Sequence, residues 1–307
     1  MDTIQTGNGK PPRLPDFIHI GPPRTGTTWI QEALYGHVCL PAEKETLFFE
    51  LRYERGMQWY GDFFKDAAPE LRCGEIAPSY FANAVARERI QHDIPNCKII
   101  CTLRDPATRL YSQYRFLRRG RTLKRSIDFN RYWVSLVHWG SDLCGYATQL
   151  RRWQDAFGPD HVLTLFYEDL MSDPQTYLNK ICDFVGTPRV PLEKSPVSDV
   201  KVLSVWSGVR SNPVSGLAVG SIQWLAQHGG SSLVARTKES RLGQRIRLLL
   251  VEDYEPLSPS AADEIRHVML PETEELERLT GRDLSAWKPA ALRDRQPARE
   301  EPHSRTA

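Results

Sequence analysis

The sequence predicts an α/β fold in which helices flank a central parallel sheet in three layers, with further helices near the C-terminus. Short apolar runs at 17–20, 98–103 and 162–166 alternate with helical stretches. The first two runs are rich in β-branched residues, which is typical of parallel strands buried on both faces. Alternation of strands and helices indicates a parallel sheet, and ligands of such sheets bind at the carboxyl ends of the strands.

Helical periodicity and helix-boundary residues predict the elements between these strands. Proline at the first helical position marks two of the helix starts, at Pro106 and Pro174. The predicted helices cover residues 27–35, about 79–92, 106–119, 143–157, and a last stretch from Asp173-Pro174 to near Gly186. Further along, a basic amphipathic helix at 241–251 and an acidic helix at 260–279 are expected to pack on the main domain.

Composition divides the chain into a flexible arm at 1–16, a single domain at 17–287 and a disordered tail at 288–307. The arm is polar with glycine and proline, and the tail is rich in proline, arginine and glutamate. Within the domain, residues 188–215 are predicted to form a loop, and 216–287 its helical C-terminal part.

Bulk properties exclude several classes of protein. The chain has 40 Lys and Arg against 38 Asp and Glu, a net charge of +2. It therefore lacks the basic signature of general polyanion binding, and we expect no nucleic-acid partner. No window is apolar enough for a signal core or a membrane span, which predicts a cytoplasmic protein without an integral membrane segment. The 6 cysteines form no CxxC pair or zinc spacing, and Cys97 and Cys101, which flank a β-like run, are expected to be reduced and buried.

The first strand leads into a loop typical of phosphate binding. Gly21 and Gly26 lie in a turn between the strand and a helix, and backbone N–H groups at a helix N-terminus attract anionic oxygens. A Walker A loop would place lysine after the second glycine, but Thr27 stands there. The cation is instead Arg24, inside the loop. This P-loop-like arrangement suggests a nucleotide whose reactive group is not a γ-phosphate.

A second anion site is predicted where the strand at 98–103 ends. Arg104 follows this strand, and Ser112 lies about two turns into the next helix. Arginine makes forked, charge-assisted contacts with phosphate, and serine adds a hydroxyl donor. The alternative is that Arg104 merely pairs with Asp105 or with a carboxylate on a helix. The basic run at 118–125 is equally consistent with contact to an anion and with a solvated face.

Both loops resemble those of sulfotransferases that use 3′-phosphoadenosine 5′-phosphosulfate (PAPS). Residues 23–29 (PRTGTTW) resemble their 5′-phosphosulfate loop, usually Pro-Lys-Ser-Gly-Thr-Thr-Trp, and residues 98–112 resemble their 3′-phosphate motif. The resemblance implies PAPS as sulfuryl donor, adenosine 3′,5′-bisphosphate (PAP) as product, and no required metal. It implies donor-binding roles for Arg24, Thr25, Gly26, Thr27, Thr28, Trp29, Arg104 and Ser112.

Two further segments are similar to the heparan-sulfate-type branch of these enzymes. Residues 44–49 (KETLFF) resemble its Lys-Glu-x-x-Phe-Phe segment, and residues 75–81 (EIAPSYF) its Glu-Lys-Thr-Pro-Ser-Tyr-Phe segment. The resemblance covers about 17–187, and 279–287 (LTGRDLSAW) is similar to the close of many bacterial members.

The chain also departs from the pattern of that branch. Arg24 and Ile76 stand where lysines are usual, so the polysaccharide contacts of the branch do not carry over directly. The C-terminal Lys-Gly-Arg-type loop is not evident, and Lys201 or Arg210 are candidates to replace it.

The resemblance implies three catalytic residues. Glu45 is the candidate general base, with residues 47–49 as an apolar wall that raises the pKa of its carboxyl. Arg24 stabilises the leaving phosphate by charge, because arginine does not readily give up a proton. Lys44 adds charge near the sulfuryl group. The alternative interpretation of Glu45 is a surface residue in the acidic run 43–45.

Other interpretations stay open at this point. The sequence is also compatible with a P-loop kinase of small molecules, although Thr27 disfavours it, and with a catalytically silent nucleotide-binding protein. Trp29 is expected to pack beneath the loop. Alternative bases are the histidines His19, His37, His92 and His138, of which His19 has the position of a core residue.

The predicted acceptor is a hydroxyl or amine of a small molecule, sugar or lipid. A bacterial cytoplasmic enzyme of secondary metabolism fits the family resemblance and the composition best. The sequence determines neither the particular acceptor nor the oligomeric state.

Overall fold

A computed structural model describes residues 11–120, 122–124, 126–138, 145–192 and 255–293. The predicted basic helix at 241–251 and the predicted loop after residue 192 lie outside these residues. So do Lys201, Arg210, the arm up to residue 10, and the tail from residue 294.

Four parallel strands form the central sheet in the order β2-β1-β3-β4. They are β1 (Phe17–Gly21), β2 (Gly74–Ile76), β3 (Lys98–Leu103) and β4 (Val162–Phe166). The three strands predicted from sequence are confirmed, and β1 extends one residue further. Sequence reasoning missed β2, because three residues with a charged one in the middle form no apolar run.

Helices lie between the strands and after the sheet. In chain order they are α1 (Thr27–Leu34), α2 (Phe48–Leu51), α3 (Gly56–Gly61), α4 (Ala84–Asp93), α5 (Pro106–Arg119), α6 (Phe129–His138), α7 (Tyr146–Phe157), α8 (Tyr167–Ser172), α9 (Pro174–Val185), α10 (Pro259–Val268), α11 (Leu270–Thr280) and α12 (Ala290–Arg293).

The structure confirms most of the predicted helices and corrects two. The helix predicted at 106–119 is confirmed at both ends as α5. The predicted start of α4 near residue 79 is wrong, because a 3₁₀ turn at Pro78–Tyr80 comes first and Asn83 caps the helix by accepting from the Ala86 N–H at 3.0 Å. The predicted acidic helix at 260–279 is two helices, since Pro271 has no N–H to continue the first one.

Alternate residues of the sheet face opposite layers, as strand geometry requires. Phe17 and Ile100 belong to a core shared with α1 and α9, whereas Ile18 and Ile99 belong to a core shared with α2, α4 and α7. The predicted three-layer α/β fold is therefore confirmed.

The C-terminal helices α10 and α11 pack on α5 and α7, which flank the sheet. Ile265 of α10 is buried with Leu110 of α5, and the backbone N–H of Thr148 at the start of α7 donates to the Glu272 carboxylate of α11 at 3.0 Å. Trp287 lies in the core shared with α2, α4 and α7, and its ring is 5.7 Å from that of Phe166. The expected packing of residues 260–279 on the main domain is confirmed.

The described cysteines are free thiols: Cys73, Cys97, Cys101 and Cys182 are buried, and Cys39 is partly buried. This agrees with the expectation that Cys97 and Cys101 are reduced and buried. Among the described residues, no helix is long and apolar enough to cross a membrane.

Candidate active site

The carboxyl ends of β1 and β3 carry the residues of the two predicted phosphate sites to one edge of the sheet. β1 ends at Gly21, where φ is 88° and an added Cβ would lie 2.6 Å from the Pro78 Cα. Gly26 caps α1 with φ 91°, and a Cβ there would lie 2.7 Å from a Leu170 methyl. Both positions therefore require glycine, since the backbone is left-handed and other residues approach it closely.

The loop between these glycines is folded by its own contacts. The Thr25 hydroxyl donates to the Pro22 carbonyl at 2.7 Å, which closes the turn. Arg24 adopts φ 72°, a conformation that a non-glycine residue reaches at a cost in free energy. Gly26 offers α1 no side-chain cap, so the amides of the first turn are donors for a ligand.

The two predicted phosphate sites meet. Arg24 Nε donates to Ser112 Oγ at 3.2 Å, and Arg104 donates to the Arg24 carbonyl at 3.2 Å. Arg104 also donates to Thr108 Oγ1 at 3.1 Å, and its guanidinium lies 4.4 Å from the centre of the Tyr167 ring. Both guanidinium groups are thus held by neutral oxygens and aromatic rings.

Asp105 does not pair with Arg104, contrary to the alternative raised from the sequence. It caps α5 by accepting from the Thr108 N–H at 2.8 Å, and its other oxygen pairs with Arg266 Nε of α10 at 2.8 Å. The Asp105 N–H donates to the Glu168 carboxylate at 3.0 Å. Asp105 is therefore a structural partner that ties a C-terminal helix to the start of α5.

Electrostatics at this edge favour an anionic ligand. Burial lowers the pKa of Arg24 to about 10, and repulsion from Arg119 and Arg104 adds to the effect. Arginine stays protonated at neutral pH even so, and a bound anion would relieve the mutual repulsion of these cations.

The segment 43–49 approaches the loop from the β2 side. The Lys44 ammonium donates to Thr28 Oγ1, in the first turn of α1, at 2.8 Å. Lys44 is an exposed residue overall, but desolvation of its ammonium lowers the pKa of that group. The Arg24 charge lowers the pKa further, and the Glu45 charge raises it. Lys44 is therefore placed beside the phosphate-binding loop.

Glu45 is half-buried and lies with Lys44, Gln31 and Glu75 around a narrow recess of about 10 Å³. The apolar wall expected around it is arranged differently. Phe48 and Phe49 are fully buried in the core shared with α4 and α7, where the Phe48 ring stacks on the Tyr60 ring at 4.5 Å.

The carboxylate that is fully buried near this segment is Glu75, with 1% of its surface exposed. Burial raises its pKa, and hydrogen bonds from Thr46 and Tyr60 partly offset that effect. Glu75 begins the segment 75–81 that resembles the heparan-sulfate-type branch, but no role was predicted for it, because its environment depends on residues from three separate segments.

None of the histidines whose side chains the structure describes lines this recess. His19 Nε2 is 2.9 Å from Thr102 Oγ1, its Nδ1 accepts from the Gly21 N–H at 3.3 Å, and burial lowers its pKa to about 3. It is thus a neutral, satisfied core histidine, as its position in the strand predicts. His92 pairs with its neighbour Asp93 at the end of α4. The side chain of His138 lies outside the described residues.

Aromatic residues near the loop divide between core and surface. Trp29 is 2% exposed, and its ring lies 6.2 Å from that of Tyr177, which confirms packing beneath the loop. Tyr114 is buried, but Phe116 is 50% exposed with the Arg24 guanidinium 4.9 Å above its ring. Phe116 therefore lies at the surface beside Arg24 rather than in the core.

These features define an α/β protein with arginines and uncapped helix-start amides at the carboxyl ends of adjacent parallel strands, where a Walker A site would carry lysine. Comparison with known proteins agrees. The family described as "Sulfotransferase domain" matches residues 14–221. The chain belongs to this family.

Relatives in the same family include heparan sulfate enzymes. "Bifunctional heparan sulfate N-deacetylase/N-sulfotransferase 4" of Mus musculus is 33% identical over 199 residues, 57% of this chain and 23% of that protein. "Heparan sulfate glucosamine 3-O-sulfotransferase 3B1" of Homo sapiens is 31% identical over 206 residues, 63% of this chain and 51% of that protein. The chain thus matches about half or less of the length of these two relatives.

A solved sulfotransferase from Alicyclobacillus acidocaldarius shares the fold. The two superpose with a TM-score of 0.60 at 19% identity, over 90% of this chain and 99% of the other. This likeness supports the architecture of the sheet and its helices.

Proposed function

We propose that this protein transfers the sulfuryl group of PAPS to a hydroxyl or amine of an acceptor. The observation that carries the proposal is the contact between the two predicted phosphate sites, with Arg24 Nε 3.2 Å from Ser112 Oγ. A nucleotide with phosphates on both its 3′ and 5′ oxygens has the charge distribution that such adjacent sites would bind.

The donor would lie across the carboxyl ends of β1 and β3. We assign the 5′-phosphosulfate to the loop and to the amides at the start of α1, where Thr25, Gly26, Thr27 and Thr28 supply backbone and hydroxyl donors. We assign the 3′-phosphate to Arg104 and Ser112. Trp29 supports the loop from below.

The proposed reaction is a direct displacement at sulfur. Glu45 takes the proton of the acceptor, the acceptor oxygen or nitrogen bonds to sulfur, and the bond from sulfur to the 5′-phosphate oxygen breaks. PAP leaves with the electron pair of that bond. A positioned base contributes about 10²–10⁴-fold to such a reaction.

Lys44 and Arg24 would stabilise the charge that develops. The Lys44 ammonium, 2.8 Å from Thr28 Oγ1, is placed to face the sulfuryl oxygens, and Arg24 to face the departing phosphate. Preorganised charge of this kind is commonly the largest catalytic contribution. The scheme assigns no step to a metal ion.

For the acceptor, we propose a sugar or another small molecule bearing a hydroxyl or amine. The names of the relatives refer to glucosamine and to both N- and O-sulfation. Ile76, where the heparan-sulfate-type branch carries lysine, is 3% exposed and packs in the core with Phe17. It brings no charge to the acceptor side, which favours a less anionic acceptor. The cytoplasmic location, bacterial source and secondary-metabolic role stay predictions from the sequence.

Incubation of the protein with ³⁵S-labelled PAPS and a panel of glucosamine oligosaccharides, phenols and aliphatic alcohols tests the proposal. The expected result is labelled product together with an equal amount of PAP. Phosphate transfer from ATP in the same panel would identify a kinase, and PAP binding without sulfation of any acceptor would identify a silent nucleotide-binding protein.

A further inference from the structure

Glu75 is a buried carboxylate to which the proposed reaction assigns no role. It stands in the middle of β2, paired with Ile18 of β1, and is 1% exposed. Each of its oxygens nevertheless has a close donor. One accepts from the Thr46 N–H at 3.1 Å and the Thr46 hydroxyl at 2.6 Å, and the other accepts from the Tyr60 hydroxyl at 2.6 Å.

Thr46 follows the proposed base directly, and the backbone around it is unusual. Glu45 has φ 59° and Leu47 has φ 55°, so two non-glycine residues in the left-handed region flank Thr46. Such conformations cost free energy and persist only where surrounding contacts enforce them. The two bonds from Thr46 to Glu75 are contacts of this kind.

The Thr46 hydroxyl also accepts from the Phe48 N–H at 3.2 Å, at the start of α2. Glu75 therefore fixes Thr46, and through Thr46 the start of α2, on the C-terminal side of Glu45. A carboxylate suits this role because it accepts several hydrogen bonds at once and donates none.

We propose that Glu75 is a positioning residue, which holds the Glu45 carboxylate and the Lys44 ammonium in place by clamping Thr46 from the edge strand. This inference rests on the proposed function, since it assumes that Glu45 is the base. It extends that function by adding a residue from β2, which does not itself touch the substrates.

The experiment compares variants on the two sides of the Glu75 carboxylate. Thr46→Val removes the hydroxyl on the Glu45 side while keeping the shape of the side chain. Tyr60→Phe removes the donor on the opposite side and leaves the Thr46 bonds intact, so it is the matched control for disturbing a buried carboxylate. Glu75→Leu removes both acceptor oxygens and so abolishes the clamp. Glu75→Gln keeps the shape of the side chain and one acceptor oxygen.

Three readouts separate positioning from a general loss of structure. These are kcat with ³⁵S-labelled PAPS and whichever panel compound the wild type sulfates best, the affinity for PAP, and amide hydrogen exchange of residues 43–49. We expect Thr46→Val and Glu75→Leu to lower kcat by about 10²-fold, as for a small misplacement of a catalytic group. PAP affinity should stay near the wild-type value, exchange at 43–49 should rise, and Glu75→Gln should recover much of the loss.

Tyr60→Phe should keep kcat near the wild-type value even if it lowers the melting temperature. In a Glu45→Gln background, Thr46→Val should lower kcat little further, because the base whose position it would disturb is already absent.

Two outcomes would overturn the inference, and they differ from failure of the proposed function. Equal losses of kcat in Thr46→Val and Tyr60→Phe, or unchanged exchange at 43–49 in Glu75→Leu, contradict the positioning role while wild-type turnover and PAP binding stay intact. A wild-type protein that neither binds PAP nor consumes PAPS contradicts the proposed function itself.

Discussion

The two sides of the proposed site are built on different principles. On the donor side, Arg24 and Arg104 are cations held by neutral oxygens, and the geometry follows from short motifs at the ends of β1 and β3. On the acceptor side, the turn carrying Lys44 and Glu45 is held by a buried carboxylate on a neighbouring strand. The donor side is thus encoded locally, whereas the acceptor side depends on tertiary contacts.

This difference suggests separate consequences for mutation. Changes on the donor side should weaken nucleotide binding, because they remove positive charge and hydrogen-bond donors that would contact the phosphates directly. Changes at Glu45, Thr46 or Glu75 on the acceptor side should lower turnover and leave nucleotide binding intact, whereas Lys44, which donates to Thr28 in the first turn of α1, should affect nucleotide binding as well. The predictions below test that separation, from the largest expected effect to the smallest.

Replacement of the proposed base should have the largest effect. Glu45→Gln keeps the size of the side chain but cannot take a proton, so turnover should fall by about 10²–10⁴-fold while PAP affinity is retained. Steady-state rates with labelled PAPS and calorimetry with PAP measure the two quantities. Glu43→Gln, two residues away on the exposed side, is the control. Unchanged turnover in Glu45→Gln would remove this residue from the role.

Loss of the proposed 3′-phosphate contact should affect binding next most strongly. Arg104→Ala removes charge-assisted hydrogen bonds worth about 1.5–3 kcal/mol, which corresponds to roughly 10- to 150-fold in the Kd for PAP. Arg189→Ala, which breaks an exposed ion pair with Asp183, is the matched control. If both variants bind PAP equally well, the donor side has been assigned wrongly.

The ion pair between α10 and the start of α5 should contribute to stability. Arg266→Met leaves the nearly buried Asp105 carboxylate without its cation. A fully buried pair broken in this way costs about 3–5 kcal/mol, and we expect roughly 1–2 kcal/mol here because Arg266 keeps some exposure to solvent. Urea unfolding measures the change, and Arg293→Met, at an exposed pair with Asp263, is the comparison. An equal effect of the two variants would show that α10 docks without this contact.

The smallest expected effect is a pH dependence from Lys44. Desolvation lowers the pKa of its ammonium below the ordinary 10.5, so the group loses its charge at a lower pH than a solvated lysine. Only the charged form attracts the anion, and PAP affinity should therefore decline as pH rises through that lowered pKa. Lys44→Arg should abolish the decline, because arginine keeps its charge. Calorimetry across the alkaline range compares the two proteins, and parallel curves would place Lys44 away from the nucleotide.

The donor side was predictable from the sequence because its information is local. The spacing of Gly21 and Gly26 and the position of Arg24 define a phosphate-binding turn before any tertiary contact is known. The same holds for α5, whose start at Pro106 and capping residue Asp105 stand next to each other in the chain. Arg104 was predicted from its place at a strand end.

The acceptor side was predictable only in part. The resemblance to a known family pointed to Glu45, but the apolar wall expected around it belongs to the core instead, because Phe48 and Phe49 pack against Tyr60 and Tyr80. Glu75 lies in a strand too short to give a pattern, and its partners are distant in sequence. A buried polar network of this type depends on the packed fold and leaves no periodic signal.

Calorimetric titration of the protein with PAP, with adenosine 5′-monophosphate and with ATP plus magnesium tests the central claim most directly. If the two sites bind the 3′- and 5′-phosphates, PAP should bind at least about tenfold more tightly than the monophosphate. This corresponds to a difference of about 1.4 kcal/mol or more in binding free energy. ATP with magnesium should bind weakly. Tight binding of ATP with magnesium and no binding of PAP would contradict the account.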